Sequence, residues 1–273
     1  MRISVIAPVL NEAAFIGYSI MSLHPHVEEF VYAVSPKSND GTIDILRHIA
    51  KNYGKVRLLV DSRYDFDPMD TVAYNKSFQD CIDQARGDAI WFCHPDMVTT
   101  RWNEPPEGPL AWWTNVTSYA KDFNTVITKG RCGQWKNIHQ KKFDLRYLGS
   151  YGSVNEDFYH SSITGKSLKH FGTNFSLYPY EVANSGIEVA HFCELKPYAR
   201  RLEKMKLCLK TQHPNFTNDY IEELAMNHPR VTLEQSSGQF GHFEFTETRE
   251  PLPDVFTKYK DEFESFQKEK VLV

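Results

Sequence analysis

Ile3-Ser4-Val5-Ile6-Ala7-Pro8-Val9 is an apolar, β-branched run of strand length, and it stops at the turn formed by Leu10-Asn11-Glu12. A short apolar run bounded by turn residues reads as a buried strand. After Glu12, Ala14, Ile16, Ile20, Met21 and Leu23 recur at helical spacing. Phe30-Val31-Tyr32-Ala33-Val34 is a second strand, closed by the turn-rich Ser35-Pro36-Lys37-Ser38-Asn39-Asp40-Gly41. Thr42 caps a helix carrying Ile43, Ile45, Leu46 and Ile49, and Val56 to Val60 is a third strand. A helix over 71–85 places Ala73, Phe78, Ile82 and Ala85 on one face. Gly87-Asp88 ends it, and Ala89-Ile90-Trp91-Phe92-Cys93 is a fourth strand leading into His94-Pro95-Asp96.

Repeated alternation of strand and helix predicts an α/β fold with a parallel, doubly wound sheet. Such sheets bind ligands at the carboxyl ends of their strands, at the point where strand order reverses. The loops after Val9, Val34, Val60 and Cys93 are therefore the candidate site. The second half is less regular. Pro105-Pro106-Glu107-Gly108-Pro109 is a loop, Thr125-Val126-Ile127-Thr128 is strand-like, and 131–151 is basic and aromatic. Tyr198 to Gln212 predicts a helix with Leu202, Met205 and Leu209 inward, and 254–270 a charged amphipathic helix.

The 273 residues are 41% hydrophobic and 24% charged, with a net charge of -4, as in an ordinary globular chain and unlike a protein built on phosphate backbones. The 5 cysteines are dispersed, without a C-x-x-C pair, which points to reduced thiols and a cytoplasmic setting rather than a disulfide framework or zinc ribbon. No secretory signal and no membrane-spanning apolar run is read, so the N-x-S/T triplets at Asn75, Asn115, Asn174 and Asn215 are taken as chance matches. Nothing in the sequence indicates an oligomeric state.

The first loop lacks G-x-G-x-x-G, which argues against dinucleotide binding by a glycine turn. It offers an amide and a carboxylate instead, Asn11 and Glu12, groups suited to a base or ribose. A hydrolase elbow, G-x-S-x-G, is absent too.

Taken in order, Ile3 to Glu12, Asp40-Gly41-Thr42-Ile43-Asp44, Ala73-Tyr74-Asn75-Lys76-Ser77 and Ala85-Arg86-Gly87-Asp88-Ala89-Ile90-Trp91-Phe92 resemble family-2 glycosyltransferases. The likeness covers residues 3 to about 98. It implies a single GT-A (Rossmann-like) domain over 1–273: a nucleotide-sugar half (1–98), an acceptor half (99–253) and a C-terminal helix (254–273). The implied activity is metal-dependent, inverting transfer of a sugar from a nucleotide sugar, of the UDP type, to an acceptor hydroxyl. The acceptor stays open among glycans, small molecules and modified nucleic acid.

The resemblance also implies site residues. Pro8, Val9, Asn11, Glu12 and Asp40 would surround base and ribose, and Asn75 would orient the donor. Where the family has a D-x-D triplet, this chain has His94-Pro95-Asp96. Asp96 fills the metal-binding place, with His94 replacing the first acid and favouring Mn²⁺ over Mg²⁺ on ligand softness. His191, delivered by Ile187-Glu188-Val189-Ala190, is similar to a late histidine that closes the metal site, and Lys196, Arg200 and Lys204 would contact the diphosphate. In Val154-Asn155-Glu156-Asp157, Asp157 is the implied general base, with Glu156 beside it.

Two other readings are consistent with these residues. The altered metal triplet suits a catalytically silent nucleotide- or glycan-binding member. Lys136, Lys141, Lys142 and Arg146, interleaved with Trp135, Tyr147 and Tyr151, suit a transferase acting on modified nucleobases of DNA.

Overall fold

Strand β1 (Ile3–Val9) is buried along its whole length and lies inside the sheet, flanked in parallel by β2 (Glu29–Val34) and β4 (Ala89–Phe92). A strand with sheet on both sides and helices above has no solvent face, which is why its sequence is apolar without alternation. The computed structural model describes residues 2–64, 71–105, 111–135, 168–170, 173–175, 182–235, 238, 245–247 and 251–268. Strand β3 (Val56–Val60) pairs in parallel outside β2, so the N-terminal half has the order β3-β2-β1-β4. The chain runs outward from β1 through β2 to β3 and then returns to the other side of β1. The reversal falls between β1 and β4, so their carboxyl ends, at Leu10 and at His94, frame the crevice.

Three helices make the crossovers: α1 (Ile16–Leu23), α2 (Thr42–Asn52) and α3 (Thr71–Gln84). Residues 12–15 form a turn rather than the first turn of α1. Helix α3 packs on β1 and β2, while α1 packs on α2 and on β5 (Met97–Arg101). Strands β6 (Ala111–Ala120) and β7 (Thr125–Trp135) form an antiparallel pair that extends the sheet beyond β4. Strands β8 (Leu168–His170) and β9 (Thr173–Phe175) make a separate short antiparallel pair. Strand β10 (Val182–Glu194) lies between β6, parallel, and β5, antiparallel. The fold is thus a mixed α/β sheet with a Rossmann-like, parallel four-strand half.

After β10 come α4 (Tyr198–Gln212), α5 (Asn218–Met226) and α6 (Pro229–Thr232). Leu209 joins Ile221, Leu224 and Ala225 in a small core, with Leu202 and Met205 against it, as the helical spacing predicts. Strand β11 (Thr246–Glu247) adds to β7. The C-terminal stretch forms two short helices, α7 (Asp254–Lys258) and α8 (Lys260–Glu264), where the spacing predicts one continuous helix. Tyr259, at φ -115 and ψ 13, breaks the helix. Phe256 then packs among Phe15, Tyr18 and Phe192, while Phe263 is driven against Gly17 and Tyr18. Among the described residues no helix is long and apolar enough to cross a membrane.

The far end of the sheet explains the Gly87-Asp88 turn. A Cβ at Gly87 would lie 2.7 Å from Ser4 N and 2.8 Å from Arg2 O, so only glycine fits. Glu29, buried there, accepts from Ser4 Oγ (2.8 Å) and from the Arg86 N–H (2.5 Å) and pairs with Arg57. This end is a structural clasp, opposite the crevice.

Candidate active site

The loops after β1 and β2 are sewn together by their own polar residues. Asn11 sits in the left-handed region (φ 54), and its Oδ1 accepts from the Asn39 N–H at 3.0 Å. Asp40 accepts from the Thr42 N–H (3.0 Å) and hydroxyl (2.5 Å) through one oxygen and from the Ala13 N–H (2.9 Å) through the other. The Glu12 N–H donates to Thr42 Oγ1 at 2.7 Å. The Asp40 carboxylate, expected beside the base, is thus spent on shaping both loops. Gly41 is required by its φ of 105 and by the Phe266 carbonyl, 2.0 Å from where a Cβ would stand. Pro8 and Val9 are buried within β1, so what they offer to the crevice is backbone.

Asp96 is fully buried, in the turn between β4 and β5. The Met97 N–H donates to His94 O (2.9 Å), and the Phe192 N–H from β10 donates to Asp96 O (2.9 Å). Its carboxylate gathers three basic groups. Oδ2 lies 2.8 Å from Lys196 Nζ and 2.7 Å from Lys204 Nζ, and Oδ1 lies 3.2 Å from His191 Nε2. Lys196 also pairs with Glu12. The lysines are set by the turn into α4: Arg201 donates to the Lys196 carbonyl (2.5 Å) and to the Val231 carbonyl (2.9 Å), fixing where the chain leaves β10. His191 and Cys193 are two apart on β10 and so share a face. Ser118 Oγ on β6 stands 3.4 Å from His191 Nδ1.

Burial would raise the pKa of Asp96, but the charges of Lys196 and Lys204 outweigh it and hold the carboxyl well below the usual range. Burial works against both ammonium groups, yet Asp96 above all keeps Lys196 raised and Lys204 well above its ordinary value. Glu12 behaves differently: burial dominates and carries it up to about 7 despite Lys196. Burial lowers His191 and, with Lys204, lowers His94 further, so both imidazoles are neutral near pH 7.

The residues also fit a divalent ion. Asp96 Oδ1 is a buried oxygen that faces His191 Nε2 across 3.2 Å. Ligand atoms of Asp96, His191 and Cys193 all lie within 4.8 Å of one another. An oxygen, an imidazole nitrogen and a sulfur suit a borderline ion better than a hard one. His94, expected as the third ligand, is not in this group; its ring centre is 6.0 Å from that of His191. Sequence reasoning missed Cys193, although alternation along a strand delivering His191 was a signal for it.

Of the expected donor contacts, Lys196 and Lys204 meet Asp96, whereas Arg200 turns to Glu203 (3.0 Å) and Asn39 (3.0 Å). Asn75 lies on α3, and its side chain is outside the described residues, as are Glu156, Asp157 and the basic aromatic stretch 136–151.

No protein-family model matches the chain. No curated protein matches it in sequence. Among solved structures, S. aureus TarS 1-349 is similar at 12% identity and a TM-score of 0.41, covering 85% of this chain and 71% of that one. A second S. aureus TarS structure is similar at 12% identity and a TM-score of 0.36, covering 83% and 42%. The functional reading rests on the residues, not on these likenesses.

Proposed function

We propose that this chain is a glycosyltransferase that moves a sugar from a nucleotide sugar, of the UDP type, to an acceptor hydroxyl with inversion. The observation that carries the reading is the buried cluster of Glu12, Asp96, Lys196, Lys204 and His191 at the reversal point between β1 and β4. A parallel sheet uses this place for nucleotides. Two lysines there suit a diphosphate, whose charge grows as the glycosidic bond breaks. The shaped loops 10–13 and 35–42 offer backbone and amide groups to the base and ribose.

Asp96 and His191, with Cys193, would hold a divalent ion, which when bound supplies Lewis-acid stabilisation of the leaving diphosphate. Lys204, with a side chain 23% exposed, is the ammonium group better placed to turn from Asp96 to a phosphate oxygen. Lys196 is locked between two acids and keeps the cluster together. Asp157 would take the proton from the acceptor, a role that rests on the sequence resemblance.

Thermal stability against a panel of nucleotides and nucleotide sugars, with and without Mn²⁺, tests the reading. Selective binding stabilises by about 2.7 kcal/mol at a hundredfold excess over Kd. The expected result is a shift with one nucleoside diphosphate family that Asp96→Ala loses, each protein being compared with its own ligand-free baseline. Absence of any nucleotide shift in the wild type would overturn the proposal.

A further inference from the structure

The C-terminal stretch 254–268 touches each of the segments that frame the crevice. Gln267 Nε2 donates to the Ala13 and Ala14 carbonyls, at 3.3 and 3.4 Å, beyond β1. The Lys268 N–H donates to the Asp40 carbonyl at 2.9 Å, in the loop after β2. Phe256 of α7 packs on Phe15 and on Phe192, whose own N–H donates to Asp96 O in the turn after β4. The first two contacts close a circuit. Ala13 donates to the Asp40 side chain and accepts from Gln267, while Asp40 accepts from the Lys268 N–H next along the chain. The stretch is anchored outside that circuit. Phe263 is buried against Gly17 and Tyr18, and Glu262 accepts from the Tyr53 hydroxyl at 2.9 Å and pairs with His48 at 2.6 Å. These anchors lie on or just past α1 and α2, the helices that follow the two loops, so residues 266–268 reach the loops from a fixed base.

We propose that residues 254–268 form a positioning strap for the nucleotide pocket: Gln267 and the Lys268 N–H hold the loops after β1 and β2 in the shape that receives base and ribose, so that loosening the strap's end weakens nucleotide binding while the fold stays intact. The inference rests on the transferase reading of the site. The loops need such support. Asn11 holds φ 54 and Gly41 φ 105, and sparsely populated backbone conformations persist only where their surroundings over-determine them. With the strap's end in place, the pocket is pre-organised and the nucleotide does not have to order it. With the end released, the loops spend part of their time in shapes that do not bind, and the apparent affinity falls by the fraction that remains competent. A competent fraction of about one fifth or less gives a loss of at least about fivefold. The strap's aromatic anchors need not move for this to happen, because Gln267 and Lys268 follow them in sequence.

The experiment measures binding of UDP, CDP, GDP and ADP to the full chain by isothermal titration calorimetry, with MnCl₂ present. The wild type is compared with Gln267→Ala, with the double variant Gln267→Ala/Lys268→Pro, and with Arg57→Met. Proline at 268 removes the N–H and restricts the residue before it, leaving Phe256, Glu262 and Phe263 as they are. Arg57→Met is the control: it breaks the pair with Glu29 at the far end of the sheet and lowers stability without touching the loops. Urea unfolding ranks the proteins by stability. For the nucleotide that binds the wild type, affinity should fall at least about fivefold in the double variant, fall less in Gln267→Ala, and stay unchanged in Arg57→Met. Wild-type affinity in the double variant, or an equal loss in Arg57→Met, would overturn the inference and leave the transferase reading intact. If the double variant does not fold, Gln267→Ala is judged against the same control, and an affinity equal to wild type would overturn the inference. Failure of all the nucleotides to bind the wild type would overturn the transferase reading, and this inference with it.

Discussion

Asp96→Ala, measured in protein stripped of divalent ions, separates two views of the buried carboxylate. If Asp96 only waits for a metal, it is a desolvated charge in the ion-free protein, and removing it should leave stability unchanged or raised. The structure instead gives it two ammonium partners at 2.7 and 2.8 Å. Removing one partner of a buried ion pair costs about 3–5 kcal/mol, because the other charge is left uncompensated. Lys196 keeps Glu12 after the change, and Lys204 is part exposed, so the loss should sit at the low end, about 3 kcal/mol. Asp96→Asn keeps the shape and an acceptor oxygen and should lose less, about 2 kcal/mol. Urea unfolding in EDTA at pH 7.5 reads this as a midpoint lowered by roughly 1 M for Asp96→Ala. Adding Lys204→Met should restore part of the loss, a non-additivity of at least about 1 kcal/mol. An Asp96→Ala protein as stable as wild type in EDTA, with additive double-variant energetics, would refute the lysine-paired carboxylate.

Three further outcomes follow from the geometry. Glu12 is raised from 4.5 to about 7 by burial, so between those values the folded protein holds a proton that the unfolded chain has lost; wild-type stability should fall from pH 5 to pH 8 relative to Glu12→Gln, read by urea unfolding across that range. Gly41→Ala meets both a φ of 105 and the Phe266 carbonyl, and should cost at least about 2 kcal/mol and expose the C-terminal stretch to limited proteolysis. Phe263→Ala empties a fully buried site against Gly17 and Tyr18 and should cost about 3–5 kcal/mol in the same unfolding assay.

The parallel half of the sheet was legible because burial on both faces writes itself as an apolar run. Ile3–Val9, Phe30–Val34 and Ala89–Phe92 could be read without knowing what they pair with. Turn chemistry was legible for the same local reason: Gly41 and Gly87 mark places where a Cβ is excluded. Asp40 shows where local reading stops. Its three hydrogen bonds to Thr42 and Ala13 depend on two loops meeting across the sheet, and no spacing reveals that.

The acid–lysine cluster was half legible for the same reason. Glu12 and Asp96 stand at strand ends, where the fold alone marks them as candidates. Lys196 and Lys204 could be read, with Arg200, only as basic residues that would contact a diphosphate, and nothing in their spacing shows that two of them meet Asp96. Only the path of β10 between β5 and β6, with Arg201 holding the turn into α4, carries them inward. That path changes what each residue can do. A lysine on a solvated helix is a weak phosphate contact, whereas a lysine sharing a buried carboxylate sets the charge against which every incoming ion is weighed. On the proposed reading, chemistry at this site is governed less by the histidine that stands in the first place of the expected triplet than by how the two lysines divide between Asp96 and whatever anion enters beside it.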